Sequence, residues 1–170
     1  MADSFFTVGI VGHRVLGGED VHFYVQSCCH KILSDLKAKY PKVRAISAIS
    51  EGADSIFAQC AVSLNIELES VIPFQDFKAD FGDEVAGERY IRLRRCSDFE
   101  TKVNFSKRSN LAYRRSMQWV VLKSNILIAV WDGRKIGSIG GTWEAISLCE
   151  KLNKAMININ VRTKTMSLHS

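Results

Sequence analysis

The sequence lacks the residue patterns that metal sites use. Its five cysteines show none of the paired spacings of zinc sites, and three of its four histidines have no evident partner nearby in the sequence. These residues are Cys28, Cys29, Cys60, Cys96 and Cys149, and His22, His30 and His169. We therefore expect reduced cysteines packed in a core, and no metal site.

Long apolar runs are also missing. No stretch approaches the length needed to span a bilayer. The first residues lack the basic stretch, the apolar run and the small-residue cleavage site of a signal peptide. We expect a cytoplasmic protein that has no membrane partner.

Two common phosphate-binding motifs are absent as well. Neither G-x-G-x-x-G nor G-x-x-x-x-G-K-[ST] occurs, which disfavours a simple nicotinamide dehydrogenase or a common ATPase. No internal repeat, linker or low-complexity stretch is present. The sequence therefore predicts no cofactor and a single folded unit.

The chain does contain enough apolar residues to form one hydrophobic core. With 170 residues and 46% hydrophobic content, we expect one domain over residues 1–162, followed by a frayed tail over 163–170. The net charge of +5 comes from 23 basic and 18 acidic residues, with basic clusters at 89–95, 102–115 and 162–164. So mild an excess favours a small-anion site over a nucleic-acid track.

Apolar periodicity predicts strands and helices in alternation. The predicted strands are Phe5–Val11, Val43–Ala48, Leu68–Ile72, Ile126–Trp131 and Lys154–Asn160. The predicted helices are Glu19–Lys39, one beginning at about Ala53, Asp83–Cys96, Ser109–Ser124, and Thr142 to about Leu152. This order indicates an α/β, Rossmann-like, doubly wound fold, with a mostly parallel sheet and helices on both faces.

Three glycine-bearing turns follow predicted strands, so they should meet at one edge of the sheet. In such folds ligands bind at that edge, and a helix N-terminus preceded by glycines favours a phosphate. The candidate ligand-binding residues are Gly12, His13 and Arg14 in the first turn; Ser50, Glu51, Gly52 and Asp54 in the second; and Asp132, Gly133, Gly140, Gly141, Thr142 and Glu144 in the third.

Each candidate also has a purely structural interpretation. Thr142 is suited to capping its helix, and Asp54 and Glu144 suit a first helical turn. Arg14 fits either a phosphate or a nearby carboxylate. Arg114 lies on a helix face with core residues and needs a partner, either a phosphate or a carboxylate such as Glu144 or Asp132.

With these turns, the chain resembles the SLOG superfamily, a Rossmann-like group that includes the DNA-processing protein DprA and the LOG phosphoribohydrolases. Each motif is short, but they occur in order over nearly the whole chain. The motifs are Val8–Arg14, Ser50–Asp54, Ile72–Phe74, Asp80–Phe81, and Ser124–Gly133 with Gly140–Thr142.

The resemblance implies a pocket for a nucleotide or nucleotide-derived signal, such as a cyclic nucleotide or an ADP-ribose derivative. Many relatives are thought to sense such signals in bacterial antiviral defence, and relatives often form homo-oligomers. The leading hypothesis is therefore a ligand sensor or sequestering domain. It would act through self-association, through an effector protein partner, or by withholding the signal.

Two alternatives follow from the same resemblance. In an N-glycosidase of the LOG type, Glu144 and Arg114 would be the catalytic residues. That branch carries P-G-G-x-G-T-x-x-E, however, whereas Glu144 stands two residues after Thr142 and Ala145 occupies the expected place, a difference of about 100° of helix rotation. The second alternative, single-stranded DNA binding of the DprA type, rests on the basic middle region and on Phe105, Tyr113 and Trp119.

Overall fold

The computed structural model describes residues 4–135, 137 and 139–169. Seven strands form one sheet in the order β4-β3-β2-β1-β5-β6-β7, parallel except for the antiparallel β7. The strands are β1 (Phe6–Gly12), β2 (Val43–Ser47), β3 (Glu67–Ile72), β4 (Phe99–Lys102), β5 (Ile126–Trp131), β6 (Ala155–Asn160) and β7 (Thr165–His169). The predicted α/β doubly wound fold is confirmed.

The described residues also form five α-helices and one short 3-10 helix. They are α1 (Glu19–Lys39), α2 (Ala53–Ser63), the 3-10 helix Phe77–Asp80, α3 (Glu84–Arg95), α4 (Asn110–Lys123) and α5 (Thr142–Lys151). Asp83 caps α3 by accepting from the Ala86 N–H, and Ser109 caps α4 by accepting from the Ala112 N–H. The five α-helices lie within a few residues of the predicted ranges.

Successive residues of the central strands pack into two separate hydrophobic cores, because side chains alternate between the two faces of a sheet. Ile128 and Val130 of β5 pack on one face with residues of α1, α2 and α3. Leu127, Ala129 and Trp131 pack on the other with residues of α4 and α5. The helices thus cover both faces of the sheet.

Two strands were not predicted from the sequence. The edge strand β4 pairs with β3, although its own residues are mostly exposed. The expectation that the chain frays from Thr163 is wrong, because β7 pairs along its length with β6. The turn between them is closed by the Asn160 side chain, whose oxygen accepts from the N–H groups of Arg162 and Thr163, each at 3.0 Å.

The strand order reverses at the centre of the sheet. β1 lies between β2 and β5, and the helices that follow β1 and β5, α1 and α5, cover opposite faces. The connections leaving these two strands therefore diverge and open a crevice at their carboxyl ends. This crevice positions the candidate site.

Candidate functional site

A cavity of about 540 Å³ occupies the crevice above β1 and β5. All three predicted turns reach it: its lining includes Gly12, His13, Arg14, Ser50, Asp54, Gly140, Gly141 and Thr142. The lining also includes Tyr113, which the sequence suggested only for DNA binding. Further lining residues that the sequence did not single out are Arg108, Met117, Trp131, Arg134 and Trp143. The volume lies within the range of small-molecule sites, roughly 300–1,000 Å³.

The first two turns are locked together through glycine. Gly52 has a φ of +78°, and a Cβ atom there would lie 2.3 Å from the carbonyl oxygen of Arg14. The neighbouring Ala53 N–H donates to the carbonyl of His13 at 3.2 Å. At Gly12, a Cβ would lie 2.5 Å from that of Ala53. These two glycines therefore serve the packing of one turn on the other.

His13 links the first turn to the third. Its backbone N–H donates to the Val130 carbonyl at 3.0 Å, and its ring Nε2 accepts from the Asp132 N–H at 3.1 Å. The Asp132 carboxylate binds Arg134 at 2.6 Å. The hydrogen bond that the Arg134 backbone N–H donates to this carboxylate, together with the Arg134 side chain and its charge, holds the pKa of Asp132 below its usual value. Asp132 and the exposed Gly133 are not among the lining residues, so they support the turn from outside the cavity.

Asp80 organises the polar side of the cavity. Its side chain is only 2% exposed, and it binds Arg14 at 2.5 Å and Arg108 at 3.1 Å. The Tyr113 hydroxyl donates to it at 2.6 Å, and the Arg14 guanidinium lies 5.2 Å from the centre of the Tyr113 ring. Arg14 therefore pairs with a carboxylate, as its structural interpretation predicted, and it also lines the cavity. Asp80 belongs to a recognised motif, but no local pattern indicated that it would meet residues 66 and 33 positions away.

The third turn presents the N-terminus of α5 to the cavity. Gly141 is the N-cap residue, in place of Thr142, and no side chain caps the helix. Gly141, Thr142 and Trp143 all line the cavity. The N–H groups of the first helical turn have no intrahelical carbonyl to bond, so this wall offers donors and the positive end of the helix dipole.

The two candidate catalytic residues pair with each other. Glu144 lies 2.7 Å from the Nε of Arg114 and accepts from the Gly140 N–H at 2.6 Å. Neither side chain lines the cavity. A Cβ on Gly140 would lie 2.7 Å from the backbone nitrogen of Arg114, so the turn packs closely on α4 at this point. The pair fastens the third turn to α4.

In the second turn, Asp54 faces the cavity and Glu51 turns away. Asp54 is 7% exposed and accepts from the Ser50 hydroxyl at 2.6 Å. Burial raises the pKa of Asp54 to about 6, against the opposing effects of the Ser50 hydrogen bond and the Arg14 charge. The Glu51 carboxylate accepts from the Gly82 N–H at 2.6 Å and braces the loop before α3.

The raised pKa of Asp54 predicts that the stability of the fold depends on pH. The unfolded carboxyl ionises near 3.8 and the folded one near 6, so the folded state binds more protons between these values. The free energy of unfolding should therefore fall as pH rises from about 4 to about 6, by about 3 kcal/mol from this group. Asp54→Asn should remove that dependence. Urea titrations of both proteins from pH 4 to 7 measure the difference; parallel profiles would contradict the assignment.

An aromatic pair forms another part of the cavity lining. The rings of Trp131 and Trp143 are stacked, with centres 5.6 Å apart and planes 13° from parallel. Trp131 is 8% exposed, and its buried Nε1 has no hydrogen-bond partner among the described residues. The Lys135 ammonium lies 5.3 Å from the centre of the Trp143 ring.

In residues 4–135, 137 and 139–169, no group of three or more His, Cys, Asp or Glu side chains is placed to hold a metal ion. Within these ranges, no helix combines the length and apolar character that crossing a bilayer requires.

Comparison with solved structures shows the same fold in several proteins. DNA processing protein A (DprA) from Streptococcus pneumoniae aligns with a TM-score of 0.66 at 11% identity, over 91% of this chain and 50% of its own length. The molybdenum cofactor carrier protein of Chlamydomonas reinhardtii gives 0.54 at 15% identity, over 91% and 76%. DprA from Helicobacter pylori gives 0.55 at 14% identity, over 95% and 79%.

These likenesses concern the fold. No protein-family model matches the sequence, and no curated protein matches it significantly. The chain spans half the length of the Streptococcus protein.

Proposed function

Because the fold is of the SLOG type, we propose that this chain binds a nucleotide or nucleotide-derived molecule in the cavity above β1 and β5. It then serves as a sensor or sequestering domain in bacterial antiviral defence, acting as a homo-oligomer or on an effector protein. One observation carries the binding proposal. Three turns that are far apart in the sequence line one cavity of about 540 Å³, at the point where the strand order reverses.

The uncapped N-terminus of α5 is the proposed phosphate contact. Its first-turn N–H groups border the cavity at Thr142 and Trp143, and a phosphate would satisfy them. Arg14 and Arg108 also line the cavity and share the single carboxylate of Asp80. Among the lining residues, the arginines Arg14, Arg108 and Arg134 outnumber the one acidic residue, Asp54, which favours an anionic ligand.

The second turn suits the hydroxyl groups of a ribose. The buried carboxyl of Asp54 and the hydroxyl of Ser50 form a hydrogen-bonded pair in the lining. Sugar hydroxyls both donate and accept, so they can join such a pair without leaving a polar atom unsatisfied. This arrangement supports a ligand that combines phosphate with a sugar.

The contacts of Glu144 support binding over N-glycoside cleavage. A general base or nucleophile must reach the reacting atoms, to within about 2.6–3.2 Å. Glu144 is instead paired with Arg114 and the Gly140 N–H, outside the cavity lining. No chemical step by these two residues is included in the proposal.

The contacts of the aromatic residues likewise favour a small ligand over single-stranded DNA. The Helicobacter DprA structure concerns a single-stranded DNA binding mode. Bases stack on exposed aromatic faces in such sites. Here Trp119 donates to Glu69 at 2.9 Å, Tyr113 donates to Asp80, and Phe105 packs against the core. These three rings are engaged within the fold.

Calorimetry on the whole chain tests the proposal. We expect at least one member of a panel of nucleoside monophosphates, cyclic dinucleotides and ADP-ribose derivatives to bind, and Arg14→Gln to weaken it about tenfold through loss of a charge-assisted hydrogen bond. The control is Arg115→Gln, since Arg115 is exposed on α4 and lies outside the lining. The absence of binding across the panel would contradict the proposal. Release of free base would favour the N-glycosidase.

A further inference from the structure

The outer edge of β7 is open. β7 is the last strand of the sheet, and within the described part of the chain no strand pairs with its far side. All five of its residues are exposed. An edge strand presents unpaired N–H and C=O groups, and these groups can pair with a strand of another chain. β7 is therefore a candidate interaction surface.

The two edges of the sheet differ in how they are protected. At the opposite edge, β4 has only four residues, and its Glu100 forms ion pairs with both Arg94 and Lys102. A short strand and charged side chains are common means of blocking an edge. β7 contains no Lys, Arg, Asp, Glu or Pro. Of the two edges, only β4 is thus protected against pairing with another strand.

One face of β7 continues an apolar surface of the sheet. Met166 lies opposite Ile159 in β6, and Leu168 lies opposite Ile157, so both belong to the face that α1 covers. Ile159 is fully buried there, whereas Met166 and Leu168 are 46% and 67% exposed. The apolar face of the sheet therefore extends beyond the helices that cover it.

The sequence of β7 is complementary to itself. In an antiparallel pair centred on Ser167, Met166 of one copy lies opposite Leu168 of the other, and Thr165 lies opposite His169. Apolar pairs across neighbouring strands stabilise a sheet. The four apolar side chains of two such strands share one face and form a continuous patch. A second copy therefore matches this edge without bringing a charge onto it.

We propose that β7 pairs with β7 of a second copy of this chain, antiparallel and centred on Ser167, so that two sheets become one. The inference deepens the homo-oligomer of the proposed function and rests on that part of it. A two-fold axis perpendicular to the sheet relates the copies, so their cavities open at opposite edges, and each is complete within one copy. A pair of five-residue strands buries less than about 1,200 Å² in total, so the dimer is weak and depends on concentration.

Sedimentation velocity over a range of protein concentrations tests the pairing. We expect the wild-type chain to pass from monomer, with β7 open, to dimer as the concentration rises. Leu168→Lys should raise the dissociation constant of the dimer at least about tenfold, because it places a charge in the apolar patch. Val85→Lys is the matched control, since Val85 is 66% exposed, like Leu168, but lies on α3. It should leave the constant unchanged, and thermal unfolding checks that both variants are folded.

A cysteine cross-link tests the register. In the proposed pair Ser167 lies opposite its own counterpart, with about 4.5–5.5 Å between the Cα atoms, a separation that a disulfide can bridge. Ser167→Cys should therefore give a disulfide-linked dimer under mild oxidation, in a Cys96→Ser background because Cys96 is exposed. Thr165→Cys should not, since its counterpart lies about 13 Å further along the partner strand.

A chain that stays monomeric at every concentration would overturn the proposal, and so would a dimer that Leu168→Lys leaves unchanged. Equal cross-linking at positions 165 and 167 would overturn the register. These results leave nucleotide binding within one copy untouched. Conversely, failure to bind any nucleotide would contradict the ligand proposal and leave the strand pairing standing.

Discussion

Gly52→Ala is expected to destabilise the fold by about 3–5 kcal/mol, or to prevent it from accumulating folded. The substitution combines two costs. A side chain at the φ of +78° is strained, and the new Cβ would lie 2.3 Å from the Arg14 carbonyl oxygen and 2.4 Å from that of His13. Both neighbours are backbone atoms, so the clash is relieved only by separating the turns. The free energy of unfolding in urea measures the effect.

Gly17→Ala is the control for this prediction. Gly17 also has a positive φ, +95°, but beyond its own chain neighbours no heavy atom of the described residues lies within 4 Å of the added Cβ. Its cost should be that of the backbone conformation alone, about 1 kcal/mol. If the two variants lost equal stability, the close approach of the turns would carry no energy. Any ligand bound at the cavity should also be lost in Gly52→Ala, because the Arg14 and Ser50 turns would separate.

Asp80→Asn should cost about 2–3 kcal/mol. The carboxylate is 2% exposed, accepts hydrogen bonds from Arg14 and Tyr113, and forms an ion pair with Arg108. Hydrogen bonds to a charged group contribute more than neutral ones, and removing the charge leaves two arginines without their shared partner. We expect less than the loss for a fully buried pair, because Arg14 and Arg108 are 40% and 71% exposed and water screens them.

Asp76→Asn provides the comparison for Asp80. Asp76 precedes the same 3-10 helix, is exposed, and its side chain makes no capping hydrogen bond there. It should change the free energy of unfolding by less than about 0.5 kcal/mol. The two variants are compared by urea titration at neutral pH. Equal effects would mean that Asp80 acts only as one more surface charge.

The sequence predicted the central strands well because apolar runs such as Ile126–Trp131 report burial on both faces of a parallel sheet. The edge strand β4 carries no such signal. Arg44 of β2, which is far from β4 in the sequence, contacts it in the fold. Its guanidinium lies 4.1 Å from the centre of the Phe99 ring and 4.2 Å from that of the Phe5 ring. Of the two strands that were not predicted, β7 does show a strand pattern in the sequence, because Met166 and Leu168 alternate with polar residues.

For the candidate site, too, one part could be predicted from the sequence and another could not. Glycine turns after strands could be predicted to meet, because topology alone brings the carboxyl ends of parallel strands together. Which side chains then pair depends on distances in the folded chain. Arg14 with Asp80 and Arg114 with Glu144 are such pairs, and so is the stack of Trp131 on Trp143. No spacing in the sequence distinguishes a bridging carboxylate from an exposed one.

The sheet is also graded from its edges to its centre. All five residues of β7 are exposed, whereas β1 is hydrogen-bonded on both sides and largely buried. Local opening is easiest where few apolar contacts must break, so amide hydrogens should exchange first at the antiparallel margin and last near β1. The cavity is built on the strands that open last. Its shape can therefore persist through edge fluctuations that would disturb a site placed at the margin of the sheet.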